Sequence, residues 1–143
     1  MNAPVRSAGG GRKSNNLAVG DTSIKRATPP EDLLDENAQN CWKMNAKLLI
    51  ERGSYAQEDA LLLLAYCNAF SMMLRCDKEL AGGFTVDSAM GGLKKHPLVN
   101  VRNDAVSQMT RLGSLLGLNP MSRVRFLQGG GDDNEPGNEF DDF

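Results

Sequence analysis

The sequence is poor in aromatic residues (6% of 143 residues), has one histidine, His96, and only three cysteines, Cys41, Cys67 and Cys76. Each scarcity excludes a class of protein. An odd cysteine count with no C-x-x-C pair argues against a disulfide framework and against a zinc site. All three cysteines fall in helical stretches and are expected as buried thiols. His96 has no acid, cysteine or second histidine at ligand spacing, so capping the helix that follows is its expected role. Gly9-Gly10-Gly11-Arg12-Lys13-Ser14 lacks the spacing of a phosphate loop and has no strand before it. Neither a cluster of acids for magnesium nor a nucleophile beside a base can be found. The expectation is therefore a non-enzyme without cofactor or metal. The N-terminal stretch lacks the apolar run of a secretory signal.

A net charge of −2 favours no single partner, but the charge is unevenly placed. Met1–Thr28 carries five bases against one acid, and residues 129–143 carry six acids and no base. The middle balances. A basic arm and an acidic tail on a neutral body suggest two different partners. The expected organisation is a disordered basic arm over 1–28, a helical core over 29–128 and a disordered acidic tail over 129–143.

The core is organised around Ser54–Leu80. Between Ala60 and Leu74 only Asn68 and Ser71 are polar, and no Gly or Pro intervenes. Ser54 and Gln57 have capping-box spacing, and Glu58 and Asp59 complement a helix start. Leu62, Tyr66, Ala69, Met73, Cys76 and Leu80 form one seam, while Leu61, Ala65 and Met72 lie on another flank. A helix apolar on several sides is a buried one, and this chain has few elements to cover it. Either it is the central helix or part of it is covered by another subunit. The unbroken apolar run is shorter than the roughly 18 residues of a membrane span.

Before it, Thr28-Pro29-Pro30-Glu31 reads as the start of a helix running to Arg52, with Leu34, Ala38, Cys41, Asn45 and Leu48 on one face, Trp42 and Leu49 beside it, and Gly53 as the stop. The short connection predicts an antiparallel helical hairpin. After Leu80, Phe84-Thr85-Val86 and Gly91-Gly92 predict a short β-hairpin or a loose loop. Pro97 opens a third helix with Val101, Ala105, Met109, Leu112 and Leu116 on its apolar face. Gly117 stops it, and Asn119-Pro120 starts a short final helix. The fold class is mainly α.

Together these residues resemble a known family. His96-Pro97-Leu98, a helix, and then Leu116-Gly117-Leu118-Asn119-Pro120-Met121-Ser122-Arg123-Val124-Arg125 is similar to the closing signature of one lineage of tailed-phage terminase small subunits. The turn Arg52-Gly53-Ser54-Tyr55 followed by Glu58-Asp59 resembles the same family, although a larger apolar residue often stands where this chain has Ser54. The likeness covers about Pro30 to Leu127. It implies a ring-forming subunit that works in the host cytoplasm, binds double-stranded viral DNA near the packaging start and engages the large terminase subunit, which holds the ATPase and nuclease.

On that reading the candidate DNA contacts are Arg6, Arg12, Lys13, Lys25, Arg26, Lys94, Lys95, Arg123 and Arg125. For Arg123 and Arg125 a packing or salt-bridge role has equal standing. Candidate subunit contacts are Leu61, Leu62, Ala65, Tyr66, Ala69, Met72 and Met73. The acidic tail, with Phe140 and Phe143, is the candidate contact for the large subunit. Two other readings are a small helix-turn-helix regulator and a helical dimerisation module without nucleic acid. The short helix after Asn119 has few base-reading side chains, which weighs against the regulator.

Overall fold

The computed structural model describes residues 20–127. Four helices and one hairpin follow in order: α1 (Glu36–Glu51), a 3-10 turn (Gln57–Asp59), α2 (Ala60–Leu80), β1 (Thr85–Asp87), β2 (Leu93–Lys95), α3 (Leu98–Leu115) and α4 (Pro120–Leu127). The long apolar helix is central, with α1 on one side and α3 along another. By length and mean hydropathy the run Gln57–Leu80 would suffice to cross a membrane; here it is the common packing partner of two amphipathic helices.

Helix α1 begins later than Pro29-Pro30 suggests. Asp35 is the N-cap, its Oδ1 accepting from the Ala38 N–H at 3.0 Å. The preceding residues form a strap laid over α2, and the two polar residues that interrupt the apolar run fasten it. Asn68 accepts from the Leu34 N–H at 3.0 Å and donates to the Asp32 carbonyl at 3.1 Å. The fully buried Ser71 hydroxyl donates to Oδ2 of Asp35. These tertiary bonds, with Leu33 buried beneath the strap, outweigh the helix-start preference of the two prolines.

Both glycine stops have the expected role. At Gly53 (φ +67°) the amide donates to the Ile50 carbonyl, and the Ser54 amide reaches the Leu49 carbonyl. At Gly117 (φ +69°) the amide donates to Ser114, and Leu118 reaches Gly113. This paired closure satisfies the last orphan carbonyls of a helix and requires a left-handed residue, which glycine supplies without strain. The Ser54–Gln57 box does not form. Ser54 Oγ instead donates to the Leu49 carbonyl at 3.3 Å, and the carboxylate that folds back is Asp59, accepting from the Ala56 N–H at 3.2 Å. With Ser54 occupied in closing α1, the start of the next helix moves on.

The core lies between α1 and the first half of α2. Trp42, Leu49, Tyr55, Leu63 and Cys67 are almost wholly enclosed, with Ala38, Ala46 and Leu116 around them. Ala46 belongs to the buried face, whereas Leu34 is 50% exposed. Residues 20–28, expected within a disordered arm, pack on this core: Ile24 and Ala27 lie against it, the Trp42 indole donates to the Ala27 carbonyl at 3.2 Å, and the Asp21 amide donates to Tyr55. Buried apolar area and a satisfied indole N–H are what hold this segment.

Helix α3 approaches α2 through small residues. Ala105 and Gly113 are its buried positions, and a Cβ on Gly113 would sit 3.4 Å from the Tyr66 ring. Farther along, Arg102 pairs with Asp77 at 2.8 Å, a half-exposed ion pair worth at most about 1 kcal/mol. His96 caps α3, its Nδ1 accepting from the Leu98 N–H at 3.1 Å. Asn119 caps α4, its Oδ1 accepting from the Ser122 N–H at 2.7 Å. The β-hairpin between α2 and α3 pairs Thr85 with Lys95 and Asp87 with Leu93. It is barely covered: Phe84 and Leu93 are each 71% exposed, and Met90 is 99% exposed.

Candidate functional site

No group of three His, Cys, Asp or Glu side chains that could hold a metal occurs among the described residues. The three cysteines are buried thiols. The Cys41 sulfur beside it, together with burial, pushes the Cys67 thiol up, which holds it protonated and unreactive. Burial likewise raises the hydroxyls of Tyr55 and Tyr66. Two surfaces stand out among the described residues.

The first surface is one flank of α2. Leu61 is 75% and Met72 42% exposed, and Ala65 between them is open to solvent as well. Asn68 continues the same helical line, so the four residues follow one another at four- and three-residue spacing. The other candidate subunit contacts are less available. Leu62, Tyr66 and Met73 are half-buried, and Ala69 lies inside the protein. The uncovered flank is thus narrower than the sequence pattern. Near its lower end, Leu34 of the strap, Met72 and the start of α3 at Leu98 and Val101 enclose a shallow depression of about 500 Å³.

The second surface is basic. Lys25 and Arg26 face the outward side of α1 across a groove of about 510 Å³, into which Lys43 and Lys47 also project. Glu51 is the single acid there, 3.8 Å from the Lys47 ammonium. Lys25 is steadied by donation to the Thr22 carbonyl at 2.7 Å. Lys43 and Lys47 were not among the sequence candidates. Their four-residue spacing on the polar face of α1 was readable, but nothing in the sequence placed the 25–29 segment opposite them.

Lys94 and Lys95 lie exposed on β2, at the hairpin. Arg123 turns inward, its guanidinium donating to the Leu118 carbonyl at 3.1 Å, so it braces the turn between α3 and α4. Arg125 is exposed. The helices bring Lys25 and Arg26 together with two unforeseen lysines, whereas the hairpin pair and Arg125 belong to other parts of the surface. Arg6, Arg12, Lys13, Phe140 and Phe143 lie outside the described residues.

A family model described as "Phage terminase, small subunit" matches residues 38–133, about two thirds of the chain. No curated protein and no solved structure matches.

Proposed function

This chain belongs to the phage terminase small subunits and so to phage DNA packaging, and from that premise we propose that it assembles into a ring, binds double-stranded viral DNA and engages the large terminase subunit. The observation that carries the assembly is the exposed apolar surface at Leu61 and Ala65, with Met72 beyond the point where the strap is fastened to Asn68. A leucine left three-quarters exposed on the central helix gives up about 1.5–3 kcal/mol of burial free energy, which a neighbouring copy recovers. Closing a ring needs two different faces of the protomer in contact. The flank of α2 is one of them on this reading.

DNA binding draws on the exposed bases Lys25, Arg26, Lys94, Lys95 and Arg125, and on Arg6, Arg12 and Lys13 in the preceding residues. Repetition around a ring multiplies a few phosphate contacts per copy into useful affinity. The acidic residues 129–143 are the contact for the large subunit. The protein itself performs no catalysis on this reading and works in the host cytoplasm.

Native mass measurement tests the assembly. The wild-type chain forms one large species, and Leu61→Glu with Met72→Glu reduces it to monomer while circular dichroism retains the helical signal. A wild-type protein that stays monomeric or dimeric at micromolar concentration overturns the ring. For DNA, affinity falls steeply with salt and shows little sequence preference. Deleting residues 1–19 and changing the exposed Lys25 and Arg26 to Gln, which leaves Ile24 on the core, flattens the salt slope by about one unit for each phosphate contact removed. An unchanged slope removes these bases from the DNA contact.

A further inference from the structure

The groove between residues 25–29 and α1 has two chemistries at once. Its rim is cationic, with Lys25, Arg26, Lys43 and Lys47 against Glu51. Its floor is apolar: Ala27 and Ile50 are half-buried there, with Ala46 buried beside them. Phosphate groups would satisfy the rim and leave the floor bare. A peptide that alternates carboxylates with aromatic rings satisfies both. The chain contains one such stretch: Gly131–Phe143 reads GDDNEPGNEFDDF, six acids with Phe140 and Phe143 three residues apart.

We propose that this groove is the docking site of the chain's own acidic segment, Gly131–Phe143, with its phenylalanines on the apolar floor and its carboxylates on the surrounding bases. Reach allows it. Residues 128–143 add sixteen residues beyond α4, which span up to about 50 Å when extended. The turn leading into α4 lies at the groove's own end of the bundle, because Leu118 packs on the same core as Ile24, Ala27 and Ile50. A tether this short holds the segment at millimolar effective concentration, so modest intrinsic affinity suffices. Six negative charges meet a net three positive ones, and no other described cleft combines four bases with an apolar floor.

The inference goes beyond the packaging reading in one respect. The segment assigned above to the large subunit is held against its own body until a competitor releases it, and DNA phosphates contend for Lys25 and Arg26. The docking itself rests on the groove, and its test involves neither DNA nor ring.

The test is zero-length carbodiimide coupling of the full chain, followed by mass spectrometry of the linked peptides, on a mixture of isotopically light and heavy protein. Acids 132–142 link to Lys25, Lys43 and Lys47 in preference to the equally exposed Lys94 and Lys95, and within one isotopic copy. Replacing both rings (Phe140→Ala, Phe143→Ala) lowers the groove links by roughly tenfold or more, since the lost burial of even one aromatic ring is worth about that much. Lys43 and Lys47 are solvent-facing, so Lys43→Glu with Lys47→Glu leaves the fold intact and moves the remaining links away from α1. Links shared evenly with Lys94 and Lys95, links unchanged by the phenylalanine replacements, or links between light and heavy copies each overturn the proposal.

Discussion

The two ends of the helical bundle are built on opposite principles. At the α1–α2 corner Trp42, Leu49, Tyr55 and Leu63 are each no more than 2% exposed, the 20–28 segment is laced across them, and a glycine closes the turn. At the other end α2 runs on past α1, and the β-hairpin holds Phe84, Met90 and Leu93 in solvent. Stability is concentrated where the chain doubles back on itself. Apolar surface remains available at the far end, and on the outer flank of α2 at Leu61. A sequence pattern reports hydrophobicity equally at both ends. Only the packing separates the residues that hold the monomer together from those left over for other molecules.

Truncation gives the widest separation between them. Trp42→Ala removes a wholly buried ring and its hydrogen bond to Ala27, and should cost about 3–5 kcal/mol in urea unfolding. Gly117→Ala forces a side chain into φ +69°, and the expected loss is about 1–2 kcal/mol, read as a lower urea midpoint with unchanged slope.

Asp35 lies between the two ends and should show an intermediate effect. Asp35→Ala removes the cap of α1 at a cost of about 1 kcal/mol and leaves the buried Ser71 hydroxyl without its acceptor. The bonds from Ser71 and then from the Ala38 amide hold the Asp35 carboxyl below its ordinary value. A depressed folded value means that this contribution is complete above about pH 4, the unfolded carboxylate range, and fades as pH falls through the lowered folded value. Stability measured from pH 5 down to pH 2 should therefore decline less steeply in Asp35→Ala than in wild type.

The smallest effect belongs to the hairpin. Met90→Ser and Leu93→Ser should change stability by less than about 0.5 kcal/mol. A loss there comparable to that of Trp42→Ala would break the contrast, because it would mean that the hairpin is covered in the monomer.

What could be read from the residues in advance follows the same division between local and remote. Gly53, Gly117, His96 and Asn119 act within a turn of their own position, and each does what its spacing indicates. The short β-hairpin is equally local. The strap was not legible, because Asp35, Asn68 and Ser71 meet only after α1 and α2 have packed. The basic groove was hidden for the same reason: Lys25 and Lys43 come from segments whose juxtaposition depends on the indole of Trp42 reaching Ala27. The family likeness, drawn from the signature after His96 and the turn at Gly53, overlaps the region that the family model matches, residues 38–133, up to Leu127.

Gly20 lies with its α-carbon pressed on the peptide between Ser54 and Tyr55; a methyl group there would come within 2.5 Å of the Ser54 carbonyl carbon. Nothing bulkier fits, so the entering chain is pinched at the corner like a rope passing through a cleat. A side chain at position 20 would push directly on the Gly53 turn, in the most enclosed part of the molecule, and leave the bare hairpin at the far end untouched.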